Sequence, residues 1–159
     1  MYKIINPWIG RDGFNCFGCC PTNNSGLKME VYEDGDYITA QWTPGIEHQS
    51  WKGVLHGGIQ ATLMDEVAGW VVVRKLQTTG VTSKMEIQYL KPVSTNGGPL
   101  TIRAHIAKQM RNVAIIEAEI INSSNDVCAK SQCTYFCASK EKAFQTIGFT
   151  GCDIETQEK

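Results

Sequence analysis

Asp65 is the residue whose type and position most strongly suggest chemistry. The segment around it is largely apolar, and its neighbours three and four positions away are small: Ala61, Thr62, Ala68 and Gly69. In a helix these neighbours share its face, so they leave space for a ligand beside the carboxylate. Asp stabilises a helix mainly at the N-cap or in the first turn, so its place in a helix interior needs a reason. A functional carboxylate is one reason, and a solvated or salt-bridged side chain is the alternative.

A second candidate, His56-Gly57-Gly58, precedes Asp65 in the chain. Glycines at the start of a helix leave backbone N–H groups uncovered, and the helix N-terminus carries partial positive charge. Together these features suit an oxygen that becomes negative during a reaction. The alternative is that the glycines only permit a tight turn into the helix, and that His56 caps it or packs against it.

The cysteines form the third candidate. There are seven, at positions 16, 19, 20, 128, 133, 137 and 152, so the number is odd and three crowd into five residues. This arrangement favours reduced thiols over a secreted disulfide framework. Cys16-x-x-Cys19 with Cys20 could be half of a zinc site, because thiolates at this spacing can ligate one metal. A second pair at suitable spacing is missing, so we expect no metal and interpret the segment as a loop over the site or the dimer edge.

Asp65 must be positioned by a helix that runs from Gly57 to about Leu76. This stretch has no proline. Residues recur in it at intervals of three and four, the spacing of one helix face: Ile59, Leu63, Val67, Trp70, Val71 and Arg74. The helix is predicted to end at Thr78-Thr79-Gly80. Glu66, next to Asp65, is interpreted as a structural residue.

Strands are predicted on both sides of this helix. They lie at about 28–32, 37–42, 82–90, 99–109, 112–121 and 126–138. The last four follow one another through short turns and must pair largely antiparallel, so the helix lies on one face of their sheet. The fold class is therefore α+β, in one domain. That domain covers 1–159 and comprises an irregular segment at 1–27, a core at 28–138 and a tail at 139–159.

Composition excludes several classes of protein. Hydrophobic residues make up 42%, charged residues 19%, and the formal net charge is −1. The chain is therefore globular, without the positive field that nucleic acid requires. Its longest apolar run, Val71-Val72-Val73, is too short to span a bilayer, and the N-terminus lacks the apolar core of a signal peptide. We expect no membrane association and a cytoplasmic protein.

Two segments resemble a known family. The stretch from Gly53 to Glu66, GVLHGGIQATLMDE, resembles the signature of the PaaI-like branch of the hotdog-fold acyl-CoA thioesterases. Downstream, Val81 to Pro92 resembles the strand that follows the helix in this family, with its small hydroxyl residue and Tyr-x-x-Pro ending. The resemblance implies a long central helix wrapped by a curved antiparallel sheet of about six strands. It also implies a homodimer that could assemble further into a homotetramer, a dimer of dimers.

The resemblance also implies roles for individual residues. Asp65 would be the general base or nucleophile, and the backbone N–H of Gly57 would donate to the thioester oxygen, with His56 beside it as a further catalytic candidate. Thr82 or Ser83, from the partner subunit, would line the site and could position water near Asp65. Gly58 would help to shape the start of the helix.

This set of residues is sufficient for thioester hydrolysis in principle. A thioester carbonyl is electrophilic and its thiolate leaves readily, so one carboxylate and one oxyanion donor could suffice without metal or cofactor. The substrate implied is an acyl-CoA. Whether the carboxylate deprotonates water or attacks directly stays open.

One position departs from the family pattern. Many relatives carry Asn six residues before the His, where this chain has Ser50, and either Ser50 or Gln49 could replace it as a substrate-binding residue. The departure keeps a second hypothesis open, a hotdog domain that binds acyl-CoA as a sensor or carrier without turnover. A hotdog hydratase or dehydratase would need a different arrangement of His and acid.

Overall fold

The computed structural model describes residues 1–156; the last part of the predicted tail, 157–159, lies outside the described residues. Among residues 1–156, seven strands form one antiparallel sheet, in the order β1-β2-β3-β5-β6-β7-β4. The strands are β1 Tyr2–Lys3, β2 Tyr32–Asp34, β3 Tyr37–Trp42, β4 Gly80–Tyr89, β5 Leu100–Met110, β6 Val113–Ile121 and β7 Val127–Cys137. The helices are α1 Gly57–Lys75 and α2 Lys140–Ile147, with one 3-10 turn at Ile46–His48.

Helix α1 is the centre of the fold. Leu63, Val67 and Val71 are completely buried, as their helical spacing predicts. The helix contacts every strand from β3 to β7, which requires the sheet to curve around it. His56 caps its start, and Arg74 and Lys75 in its last turn match the negative end of the helix dipole. The predicted α+β hotdog architecture is confirmed, with seven strands where about six were expected.

The strands after the helix follow the predicted positions to within two residues at each end. Along β5, β6 and β7 the residues that face α1 alternate with more exposed ones; Ile102, Ile116 and Cys133 are completely buried. Strand β4 lies at the edge of the sheet and is exposed over most of its length. Its free edge therefore offers unpaired backbone groups to another strand.

The N-terminal part differs from the prediction. The alternating stretch 28–32 was expected to be a strand, but β2 covers only Tyr32–Asp34. Met29 and Val31 are buried, so the alternation correctly identified the inner side chains. Lys28 has φ 54°, which is incompatible with a strand, and the Met29 N–H bonds to the Gly18 carbonyl at 2.9 Å. The segment pairs with the irregular N-terminal region instead of extending the hairpin.

The predicted tail contains structure that the sequence reading did not assign. Helix α2 begins after Ser139, whose side chain caps the Lys142 N–H, and ends at Gly148 with φ 64°. Phe149 beyond it is buried and stacks on Trp8, with 5.8 Å between ring centroids. The C-terminal segment thus holds the N-terminal segment against α1. No helix in the described part of the chain has the length and apolarity needed to cross a bilayer.

Candidate active site

Asp65 lies half-buried in the middle of α1, at a cavity between the helix and the sheet. Its Oδ1 accepts two hydrogen bonds, from Thr82 Oγ1 and from Tyr135 Oη, each at 2.8 Å. Within residues 1–156 its Oδ2 has no hydrogen-bond partner. One oxygen is therefore fixed by two hydroxyl groups while the other remains available for proton transfer or attack.

Tyr135 is a member of the site that sequence reasoning did not assign. It lies on β7, and its side chain is on the buried face of that strand. Burial, together with the negative charge of Asp65, raises the pKa of Tyr135 far above its ordinary value. The phenol therefore remains protonated and donates to Asp65. The sequence signal that could have identified Tyr135 is a hydroxyl side chain on the buried face of a strand that packs against the helix carrying Asp65.

Thr82 and Ser83 have different environments. Thr82 bonds Asp65 of its own chain, whereas the resemblance implied a residue from a partner subunit. Ser83 occupies a bulge, where the register of β4 against β7 shifts between Thr82 and Lys84, and its Oγ donates to the Thr134 carbonyl. The bulge brings Thr82 to the helix, and Ser83 does not contact Asp65.

The start of α1 forms a separate region. The Nδ1 of His56 accepts from the Gly58 N–H at 2.9 Å, so this exposed histidine serves as the N-cap. The N–H of Gly57 meets no acceptor among the described residues, while its carbonyl accepts from Tyr89 Oη at 2.8 Å. Gly57 precedes Asp65 by eight residues, or about 12 Å along the helix. Within one chain, these two groups cannot reach the same carbonyl.

Ser50 and Gln49 belong to a turn before the helix. The Ser50 N–H bonds the Val54 carbonyl at 2.8 Å, and the Gln49 side chain accepts from the Gly53 N–H at 3.0 Å. Both polar side chains thus stabilise the turn. Neither lines the cavity at Asp65.

The cavity has a volume of about 400 Å³. Besides the Asp65 cluster it is lined by aromatic and small residues, among them Trp8, Phe14, Gly69 and Trp70. Of the small neighbours of Asp65, Gly69 lines the cavity, whereas Ala68 is completely buried. A larger polar groove of about 990 Å³ lies elsewhere, on strand residues that include Arg103, Glu117 and Lys130.

The N-terminal cysteines reach the same cavity. Cys16 and Cys19 lie against Glu66, and the three ligand atoms are all within 4.8 Å of one another. A hydrogen bond from the Cys19 thiol, helped by the backbone N–H groups of Cys19 and Gly18, lowers the pKa of Cys16 to about 7 despite burial and the nearby Glu66. The shared proton, burial and Glu66 raise the pKa of Cys19. Cys20 lies outside this cluster and bonds Thr22.

Two arginines with the charge to bind a phosphate group are engaged in ion pairs. Arg74 pairs with Glu33 at 2.8 Å and also donates to the Cys152 carbonyl. Arg103 pairs with Glu119. These ion pairs leave both side chains less available for a phosphate.

Part of the sequence matches a known family model. The family model of the thioesterase superfamily matches residues 52–129, a stretch that contains the start of α1, Asp65 and Thr82. The chain has the fold and the sequence signature of the thioesterase superfamily. The predicted resemblance to hotdog-fold thioesterases is confirmed.

Two curated relatives are similar over different lengths. Acyl-coenzyme A thioesterase 13 of Homo sapiens is 32% identical over 79 residues, which is 49% of this chain and 56% of that protein. The chain thus spans little more than half the length of this relative. A putative esterase of Schizosaccharomyces pombe is 29% identical over 124 residues, covering 72% of this chain and 76% of that protein.

A hypothetical thioesterase protein from Streptococcus pneumoniae, solved with coenzyme A, is similar in structure. Its TM-score is 0.65 at 27% identity, and the alignment covers 70% of this chain and 86% of that one. Single aspartate-to-alanine and threonine-to-alanine variants of a hypothetical thioesterase protein from the same organism align equally well, each with a TM-score of 0.65.

Proposed function

We propose that this protein is a PaaI-like acyl-CoA thioesterase, which hydrolyses acyl-coenzyme A to a free acid and coenzyme A. The observation that carries the proposal is the Asp65 carboxylate at a cavity, with Oδ1 fixed by Thr82 and Tyr135 and Oδ2 without a hydrogen-bond partner among residues 1–156. A carboxylate preorganised in this way can act without reorienting during the reaction. The two hydroxyl groups are positioning groups for it.

The reaction needs an oxyanion donor, and Gly57 of the same chain is too far from Asp65 to serve as one. Gly57 offers a free N–H at the positive end of α1, yet it lies about 12 Å from Asp65 along the helix. A second copy would resolve this separation if its Gly57 faced Asp65 across an interface. We therefore assign the active site to a homodimer, with each thioester carbonyl between Asp65 of one protomer and Gly57 of the partner subunit. Two such dimers could pair further.

The free edge of β4 is the surface that suits this dimer. Val81, Tyr89 and Leu90 at or beside this strand are exposed by 69%, 53% and 51%. Antiparallel pairing of two β4 edges would satisfy their backbone groups and cover these side chains. The same pairing would bring the two α1 helices alongside one another.

Two routes through Asp65 give the same products. As a base, Oδ2 takes a proton from water, the water oxygen attacks the carbonyl carbon, and the C–S bond breaks to release the coenzyme A thiolate. As a nucleophile, Oδ2 attacks the same carbon and expels the thiolate, and water then hydrolyses the mixed anhydride. In both routes the Gly57 N–H stabilises the oxyanion. His56 would serve indirectly, by fixing the backbone at this helix start.

The comparisons support acyl-CoA as the substrate class. The human relative is named an acyl-coenzyme A thioesterase, and the Streptococcus protein was solved with coenzyme A. The variants solved from that organism replace an aspartate and a threonine, the residue types that Asp65 and Thr82 supply here.

A thiol-release assay tests the proposal. Short, long and aromatic acyl-CoAs are incubated with the wild type and with Asp65→Asn, which keeps the side-chain size and removes the carboxylate. We expect turnover of at least one substrate by the wild type and loss of that turnover in the variant. Equal rates for both proteins would refute the role of Asp65. Tight binding without turnover on any substrate would favour the alternative, an acyl-CoA sensor or carrier.

A further inference from the structure

We infer that Cys16, Cys19 and Glu66 form a binding site for a zinc ion, which would fasten the N-terminal segment to α1 beside Asp65. Cys16 and Cys19 have a metal-binding spacing, but no further ligand is near them in the sequence. The fold supplies the missing donor, because it brings a carboxylate 50 residues away in the sequence against the Cys16 sulfur. The expectation of no metal is thereby revised.

The distances fit a single ion. The Cys16 Sγ lies 3.6 Å from Glu66 Oε2, and all three ligand atoms are within 4.8 Å of one another. A tetrahedral zinc ion about 2.3 Å from sulfur and about 2.0 Å from a carboxylate oxygen separates these two atoms by about 3.5 Å. The fourth position would be filled by water or by a substrate group, since the cluster borders the cavity.

Electrostatics also favour a cation. Among residues 1–156, no Lys, Arg or His nitrogen lies within 4 Å of the Glu66 carboxylate, which receives only the Trp70 Nε1–H at 2.9 Å and the Cys16 thiol. A divalent ion bound here would supply the positive charge that this carboxylate lacks.

Polar side chains around the cluster hold its ligand atoms. Asn6 Nδ2 donates to the Cys19 sulfur at 3.6 Å. The indole of Trp70 orients Glu66. Hydrogen bonds of this kind fix ligand atoms and stabilise thiolates in metal sites.

Gly18 permits the loop to approach the carboxylate so closely. A Cβ at this position would collide with the Glu66 carboxylate, so a larger residue would displace that side chain from the cluster. The loop is otherwise held by backbone bonds from Leu27 to Phe17 and from Met29 to Gly18. The site is thus built on a fixed backbone.

Metal content and affinity test this inference. The full chain is reduced, made metal-free and titrated with Zn²⁺ against a coloured chelator, and the metal in protein purified from zinc-supplemented medium is measured by mass spectrometry. We expect about one zinc per chain. Cys16→Ser and Cys19→Ser should weaken zinc binding about a hundredfold or more, and Glu66→Gln about tenfold.

Cys20→Ser is the matched control, because Cys20 is adjacent in sequence but bonds Phe14 and Thr22 instead of the cluster. It should retain full zinc affinity. Titration of the wild type with Co²⁺ gives a readout that needs no variant, since thiolate ligation produces sulfur-to-cobalt charge-transfer bands. Absence of those bands, equal loss of zinc in Cys20→Ser and Cys16→Ser, or recovery of a metal-free Cys16–Cys19 disulfide would each overturn the inference.

Discussion

Asp65 and Glu66 are consecutive carboxylates on one helix, and both are half-buried at the same cavity. Asp65 receives two hydroxyl donors from the sheet, Thr82 and Tyr135. Glu66 points to the N-terminal segment and receives an indole N–H and a thiol. A change of one residue rotates a helical side chain by about 100°, which is enough to give neighbouring acids different partners.

The partners of each carboxylate suggest its task. Hydroxyl groups hold an anion in place without neutralising it, so Asp65 keeps the charge that a base or nucleophile needs. Thiols are soft ligands that join a carboxylate in binding a metal ion, so Glu66 suits a structural site. Changing one acid at a time tests whether the two carboxylates have these different roles.

The largest effect is expected from exchanging the two acids for their amides. Asp65→Asn should lower kcat/KM for an acyl-CoA by about 10²–10⁴-fold, because general-base catalysis contributes that much. Glu66→Gln should lower kcat/KM less than tenfold, because it removes a carboxylate that contacts the N-terminal segment and not the reacting group. Steady-state thiol release measures both. A larger loss in Glu66→Gln than in Asp65→Asn would reverse the assignment, provided that circular dichroism shows both variants folded.

The next largest effect is expected at the oxyanion donor. Gly57→Pro removes the free N–H at the first helical position, where proline is well tolerated. It should lower kcat by about 10²–10³-fold, as the loss of one oxyanion donor does. Gly57→Ala retains the N–H and serves as the matched control; its Cβ would meet the Tyr89 ring at 3.4 Å. Similar kcat values for the two variants would contradict the role of this N–H.

Dimer assembly provides a complementary test of the same donor. Mixing Asp65→Asn with Gly57→Pro should produce heterodimers in which one of the two sites has an intact aspartate and an intact Gly57. Activity should therefore recover to about one quarter of the wild type if protomers exchange at random in equal amounts. No recovery after exchange, shown by tagged chains, would mean that both groups act within one chain.

A smaller effect is expected from the hydroxyl groups that hold Asp65. Thr82→Val removes one donor at nearly constant volume and should lower kcat about tenfold, since a hydrogen bond to a charged group contributes about 1.5 kcal/mol. Thr82→Ser keeps the hydroxyl and should restore most of the rate. If kcat is unchanged in Thr82→Val and only KM rises, Thr82 contacts substrate and does not position Asp65.

The smallest effect on turnover is expected from replacing Glu33, a carboxylate that forms ion pairs with Arg74 and Lys75. Burial would raise its pKa, but hydrogen bonds from Lys75 and Arg74 outweigh burial and hold the pKa of Glu33 below its ordinary value. Its contribution to stability is therefore present above the ordinary pKa of Glu and is lost as the pH falls through the lowered value. Glu33→Gln should cost about 1.5–3 kcal/mol in the free energy of unfolding at neutral pH.

Urea unfolding across pH checks this contribution. The difference between wild type and Glu33→Gln should shrink as the pH falls below the ordinary pKa of Glu and through the lowered pKa of Glu33, where the wild-type carboxylate becomes protonated. If the difference stays constant over this pH range, the loss of unfolding free energy comes from packing and not from the charge. Turnover at neutral pH should change little, because the ion pair lies at the far end of α1 from Gly57.

Local patterns in the sequence were sufficient to predict the main helix and the strands that follow it. Spacing of apolar residues and the absence of proline defined α1, and alternation defined β4 to β7, because these patterns report which side of an element is buried. The same local information singled out Asp65 and the glycines at the helix start. It misassigned 28–32 as a strand, because alternation records burial and not the partner of the backbone, which here is the Gly18 loop.

Only the tertiary structure decided which groups meet at Asp65 and Glu66. Tyr135 reaches Asp65 across 70 residues, and Cys16 reaches Glu66 across 50. Thr82 is aimed at the helix by a bulge in β4. Such contacts depend on strand register and on how a loop closes, and no periodicity within one element encodes them. The sequence indicated the carboxylate, and the fold selected the hydroxyl and thiol partners that distinguish the two acids.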